Sequence, residues 1–107
     1  MGGVLGGFEH KVLLAMMRLG GSAYSVPIVR ELQDRTGDTV APAAVYVTLR
    51  RLEKRGLLGS RMDPPAPGEG GRERRVFDVT PDGVALLRSA RRDLDRLWDG
   101  VEALEPS

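Results

Sequence analysis

Five residues share one face of a basic segment of helical character: Ala43, Tyr46, Val47, Arg50 and Lys54. At about 100° per residue they fall together, while Val45, Leu49 and Leu52 line another face. Downstream, Arg72, Arg74 and Arg75 cluster beside a glycine-rich stretch. The chemistry these side chains offer is recognition rather than bond making. A guanidinium can donate two hydrogen bonds to the major-groove acceptors of guanine, and a small apolar side chain can meet a thymine methyl. Cationic groups and a phenol can satisfy phosphate oxygens. Nothing in the sequence resembles a nucleophile with its base, or a phosphate loop before a helix, so an enzyme is not expected. Cysteine is absent and His10 is the single histidine, so no metal site or cofactor is expected. The expected partner is double-stranded DNA.

Charge distribution points the same way. The 107-residue chain has a net charge of only +1, but residues 41–80 carry +3 and the residues after Thr80 carry −2. Cations are thus concentrated where phosphate contact is expected. No apolar run is long enough to span a membrane, and the glycine-rich start lacks the pattern of a signal peptide, so no membrane association and a cytoplasmic location are expected.

The elements that must position the basic face can be placed from the sequence. Its helix runs from Ala41 to Arg55, with Pro42 suited to the first helical position and Gly56 to the left-handed residue past the end. A preceding helix is expected from Ser25, as N-cap, to Gly37, with Val26, Val29 and Leu32 or Gln33 as its inner stripe and Ile28 beside them. Two helices joined by a tight turn, the second apolar on one face and basic on the other, form a helix-turn-helix pattern. Two strands follow, Leu57 to Met62 and Arg74 to Val79. The proline- and glycine-rich residues between them form a long hairpin loop, whose basic far edge makes a wing suited to a minor groove.

Two helices flank this unit. Phe8 to Leu19 has Phe8, Val12, Ala15, Met16 and Leu19 on one side and Leu13, Leu14 and Met17 elsewhere. Such a helix is buried on more than one side, the second expected to be another subunit. Thr80 caps the last helix, with Pro81 and Asp82 in its first turn. There Leu87, Ala90, Leu94, Leu97, Val101 and Leu104 recur at spacings of three and four, a coiled-coil seam for a second copy of the chain. Trp98 beside it is a packing residue, or else two copies line a cavity near the two-fold axis and stack on a flat effector. The expected organisation is a flexible N-terminus (1–7), a winged helix-turn-helix domain (8–80), a dimerisation helix (81–104) and a flexible tail (105–107). The fold class is α+β, mostly α.

Nearly the whole chain resembles the PadR-like family of winged-helix transcriptional regulators. The resemblance rests on five pieces in order: Phe8-Glu9 with Val12-Leu13-Leu14-Ala15; Ala23-Tyr24 before Ile28; Val45 through Leu57; Gly70-Gly71-Arg72 with Arg74-Arg75; and Val79-Thr80-Pro81-Asp82-Gly83. It implies a homodimeric repressor, dimerised through the last helix and bound to a palindromic operator. It favours a phosphate contact for Tyr46; Tyr24 and Ser25 join the expected DNA-binding set. The chain departs from the family's pattern at Ala41, where serine is common, so the cap there is expected from Thr39 or the backbone. It departs again at Ser25, where glycine is common, and at Val76, where an aromatic is common. The alternative function is a winged-helix adaptor that binds another protein through the same faces.

Overall fold

A computed structural model describes residues 3–64 and 73–101 of the chain. Among the described residues, four helices and three strands follow in the order α1 (Gly7–Arg18), β1 (Ser22–Ala23), α2 (Ser25–Thr36), α3 (Pro42–Lys54), β2 (Leu58–Asp63), β3 (Arg74–Val79) and α4 (Pro81–Trp98). The strands form one antiparallel sheet in the order β1-β3-β2. This is a winged helix-turn-helix fold with an additional C-terminal helix. Among the described residues, no helix is long and apolar enough to cross a membrane.

The core explains why these segments take these forms. Val12, Leu13, Ala15 and Met16 of α1 meet Ile28, Val29 and Leu32 of α2, and Val45, Leu49 and Leu52 of α3. Leu57, Leu58, Phe77 and Leu87 close the cluster from the sheet and α4. The helical residues recur at the three- and four-residue spacings of one buried face. Val12 is fully buried and Leu87 nearly so, which corrects their expected place at a dimer interface: both pack inside their own protomer.

Helix ends are set by distinct devices. Gly37 and Gly56 take positive φ, 76° and 77°, and stop α2 and α3 where a side chain would be strained. Pro42 opens α3, and no side chain caps this helix, so of the two expected caps, Thr39 or the backbone, it is the backbone that serves. In α4 the Thr80 hydroxyl does two jobs: Oγ1 accepts from the Gly83 N–H at 3.1 Å and donates to the Gly56 carbonyl at 2.8 Å. Gly83 packs directly on the backbone of Leu57; a Cβ there would collide with the Leu57 carbonyl oxygen and lie 2.9 Å from Val79 Cγ1. The joint between sheet and α4 therefore has no room for alanine.

Several boundaries differ from the sequence reading. β1 went unrecognised because two residues are too few to show alternation. The N-cap of α2 is Tyr24, and Ser25 is the first helical residue. β2 begins and ends one residue later than expected. α4 stops at Trp98, with Gly100 at φ 86°, so Val101 lies off the helix and does not extend its seam. Leu104, like Arg72 and the Gly70-Gly71 pair of the loop, lies outside the described residues. Near the N-terminus, Leu5 packs against the core, and Arg55 Nη2 donates to the Val4 carbonyl at 2.9 Å. Arg55 also pairs with Glu9 at 2.9 Å, while Glu9 accepts from the Gly6 N–H at 2.8 Å.

Candidate nucleic-acid interface

Because Val45, Leu49 and Leu52 are drawn into the core, the opposite face of α3 is turned outward. Ala43, Tyr46, Val47, Arg50 and Lys54 are all exposed. Tyr46 leans toward the sheet, where its ring meets Phe77 edge-on at 6.1 Å and 79°. This contact holds the ring between α3 and the wing. Arg50 Nη1 lies 3.6 Å from a Glu53 carboxylate oxygen one turn on.

The sheet carries its polar groups on two faces. Ser22, Tyr24, Arg61, Asp63, Arg74 and Asp78 meet on the outer one. The Tyr24 hydroxyl donates to Asp63 Oδ2 at 2.7 Å, and the Arg74 guanidinium lies over the Tyr24 ring at 4.3 Å from its centroid. Asp63 is the register partner of Arg74, so the cross-strand pair and Tyr24 form one unit. Hydrogen bonding to Asp63 holds the Tyr24 phenol above its ordinary pKa, with burial and the Asp63 charge adding to the effect and Arg74 and Arg61 opposing it. Asp78 accepts from Ser22 Oγ and from Arg61 Nη1, the latter at 2.8 Å. On the inner face, Arg75 Nη1 donates to Ser60 Oγ at 2.8 Å.

The start of α2, the exposed face of α3 and the base of the wing converge on one cleft of about 440 Å³. Tyr24, Ser25, Val26 and Pro27 form one wall, Tyr46 another, and Arg30, Arg74 and Arg75 supply positive charge. The first turn of α2 has no side-chain cap, so the N–H groups of Ser25 and Val26, though none from Pro27, remain available to an anion, and the helix dipole favours one there. Among the described residues, no carboxylate pairs with Arg30 or Lys54. The arrangement can bind a chain of phosphates across three elements.

The structure thus brings Tyr24, Ser25, Tyr46, Arg74 and Arg75 together, with Ala43, Val47, Arg50 and Lys54 along the adjoining helix face. Val26, Pro27 and Arg30 join them, and the sequence reading missed all three. Val26 is 55% exposed, which corrects its place in the inner stripe of α2. Periodicity held the missing signal. If Ile28, Val29 and Leu32 face inward, Val26 and Arg30, four residues apart, must share the outward face.

A fold with this surface can be compared with known proteins. The model of the Transcriptional regulator PadR-like family matches residues 13–89. The chain belongs to this family. A PadR-like protein from Eggerthella lenta, solved as a crystal structure, is 31% identical with a TM-score of 0.70, over 87% of this chain and 79% of its own. The structure of a PadR-like transcription factor from Bacteroides fragilis superposes with a TM-score of 0.76 at 19% identity, over 92% and 89% of the two chains. The transcriptional regulator Rv3488 of Mycobacterium tuberculosis is 44% identical over 63 residues, 59% of this chain. That match spans 55% of Rv3488, about half its length. Membership of a family of transcriptional regulators places the PadR-like chain outside the enzymes. Among its described residues, no group of three His, Cys, Asp or Glu side chains could hold a metal ion.

Proposed function

We propose that the chain acts as a homodimer that binds an inverted-repeat operator in double-stranded DNA and represses a nearby operon. The observation that carries this reading is the cleft, where three elements present cations and phenols to one continuous surface beside the exposed α3 face. α3 enters the major groove: Arg50 reads a guanine, and Ala43 and Val47 meet thymine methyls. Arg30, Arg74 and Arg75, with the first turn of α2 and the Tyr46 hydroxyl, hold the flanking phosphates. Dimerisation uses the exposed Leu94, Leu97 and Trp98 of α4 together with Phe8, Leu14 and Met17 of α1. These side chains form apolar surface that the protomer itself leaves uncovered. A planar ligand received between the two Trp98 rings would relieve repression.

The test is selection of duplexes from a randomised library by the full chain, followed by titration across a salt series. An inverted repeat should be enriched, with half-site centres roughly 34–36 Å apart or a multiple of that spacing. Affinity should fall steeply with salt. A protein adaptor would enrich no sequence and retain duplex only weakly.

A further inference from the structure

Arg50 of α3 and Arg75 of β3 are joined through one acidic side chain. One oxygen of Glu53 lies 3.6 Å from Arg50 Nη1. The other accepts a hydrogen bond from the Ser60 hydroxyl, and Ser60 Oγ accepts from Arg75 Nη1 at 2.8 Å. Ser60 stands opposite Phe77 in the β2–β3 ladder, which sets it on the same sheet face as Arg75, two residues away. The relay Arg50–Glu53–Ser60–Arg75 therefore spans from the recognition helix to the wing.

An anion in this place costs affinity for any polyanion approaching α3. We propose that Glu53 is a positioning residue that sets the sequence specificity of this surface. The inference rests on the DNA-binding reading above. A free guanidinium reaches whichever phosphate is nearest. Held by a carboxylate on its own helix, Arg50 exchanges that partner only for a better one, such as the paired acceptors of a guanine edge. Glu53 thus weakens binding to duplexes that lack the correct base, a repulsive element acting against wrong partners. Through Ser60 it also orients Arg75, so helix and wing are presented at a fixed spacing. Its other service, bracing α3 against β2, needs only an acceptor oxygen for Ser60 and no charge.

Glu53→Gln separates the two services, because the amide retains an acceptor oxygen and loses the charge. Wild type and variant, as full chains, are titrated by fluorescence anisotropy against a random-sequence duplex and against a duplex enriched by the wild type. A salt series and thermal melts accompany the titrations. The variant should bind the random duplex roughly two- to five-fold more tightly. Its salt dependence should steepen by about 0.9 for each protomer, the contribution of one further neutralised phosphate, or about 1.8 for the dimer. The enriched duplex should gain less, so discrimination falls, and in an Arg50→Ala background the effect of Glu53→Gln should shrink. Unchanged discrimination and salt dependence would overturn the proposal. So would a proportional weakening on both duplexes with a lower melting temperature, which is the mark of a brace, or an effect undiminished without Arg50. If the wild type shows no salt-dependent binding to any duplex, the DNA-binding reading itself fails and takes this inference with it.

Discussion

Replacing Leu94 by aspartate should split the proposed dimer while leaving the protomer folded. In the protomer Leu94, Leu97 and Trp98 are 48%, 72% and 56% exposed. Burying a large apolar side chain completely contributes about 1.5–3 kcal/mol, so covering these exposed fractions contributes about 4 kcal/mol per protomer and about 8 for a symmetric pair. Association itself costs about 4–15 kcal/mol. The α4 stripe alone barely offsets that cost, so the proposed dimer must also bury the exposed Phe8, Leu14 and Met17 of α1. In Leu94→Asp, about 1 kcal/mol of burial is lost per protomer, and a carboxylate is buried without a partner at a cost of about 3–5 kcal/mol. The dimerisation constant should fall by about a factor of 1,000 or more. Sedimentation equilibrium should show wild-type dimer and variant monomer at micromolar concentration. Circular dichroism and melting of the variant should stay near native, because Leu94 contributes nothing to the protomer core. A variant that remains a tight dimer would refute the reasoning.

Three further outcomes follow from particular contacts. Gly83→Ala drives a Cβ into the Leu57 carbonyl, a backbone clash that should cost about 3 kcal/mol and lower the melting temperature by roughly 10 °C or more. For Tyr24, hydrogen bonding to Asp63 favours the neutral phenol, so its folded pKa lies above the unfolded value of about 10. That contribution to stability is complete below about pH 10 and is lost only as pH rises through the raised value. An ultraviolet titration should show that Tyr24→Phe removes a phenol that titrates above the ordinary tyrosine value. If the two Trp98 rings line a ligand cavity, planar aromatic compounds should quench the single-tryptophan fluorescence and weaken DNA binding together, as linkage requires. A broad panel that changes neither would leave Trp98 a packing residue.

The basic outline was legible in the chain because its strongest signals are periodic or positional. Val45, Leu49 and Leu52 announce the buried face of α3, and Pro42 and Gly56 mark its two ends. Thr80 and Pro81 open α4 as expected. What stayed hidden depends on contacts between distant segments. β1 exists because Ser22 and Ala23 pair with Asp78 and Phe77, a registration that two residues cannot advertise. The Tyr24–Asp63 hydrogen bond joins residues 39 apart in sequence, and it makes Tyr24 a support for Arg74 as well as a candidate phosphate ligand. Val12 and Leu87 fit the periodicity of an interface equally well. Only their burial within the protomer shows that they belong to the core. The end of α4 was overestimated because Leu97 and Val101 keep the heptad spacing, whereas Gly100 takes a left-handed conformation that turns the chain away.

The division of work between helix and wing is the most direct test of the account. Arg50→Ala and the double variant Arg74→Ala with Arg75→Ala should be titrated against the enriched duplex and random duplex over a salt series. Arg50→Ala should cost roughly 1–3 kcal/mol on the enriched duplex and relax preference at one base pair per half-site. The wing variant should weaken binding to both duplexes alike and lower the salt slope by about 0.9 for each phosphate that is no longer neutralised. If Arg50→Ala weakens every sequence equally while the wing variant alters sequence preference, the assigned roles of α3 and the wing are contradicted.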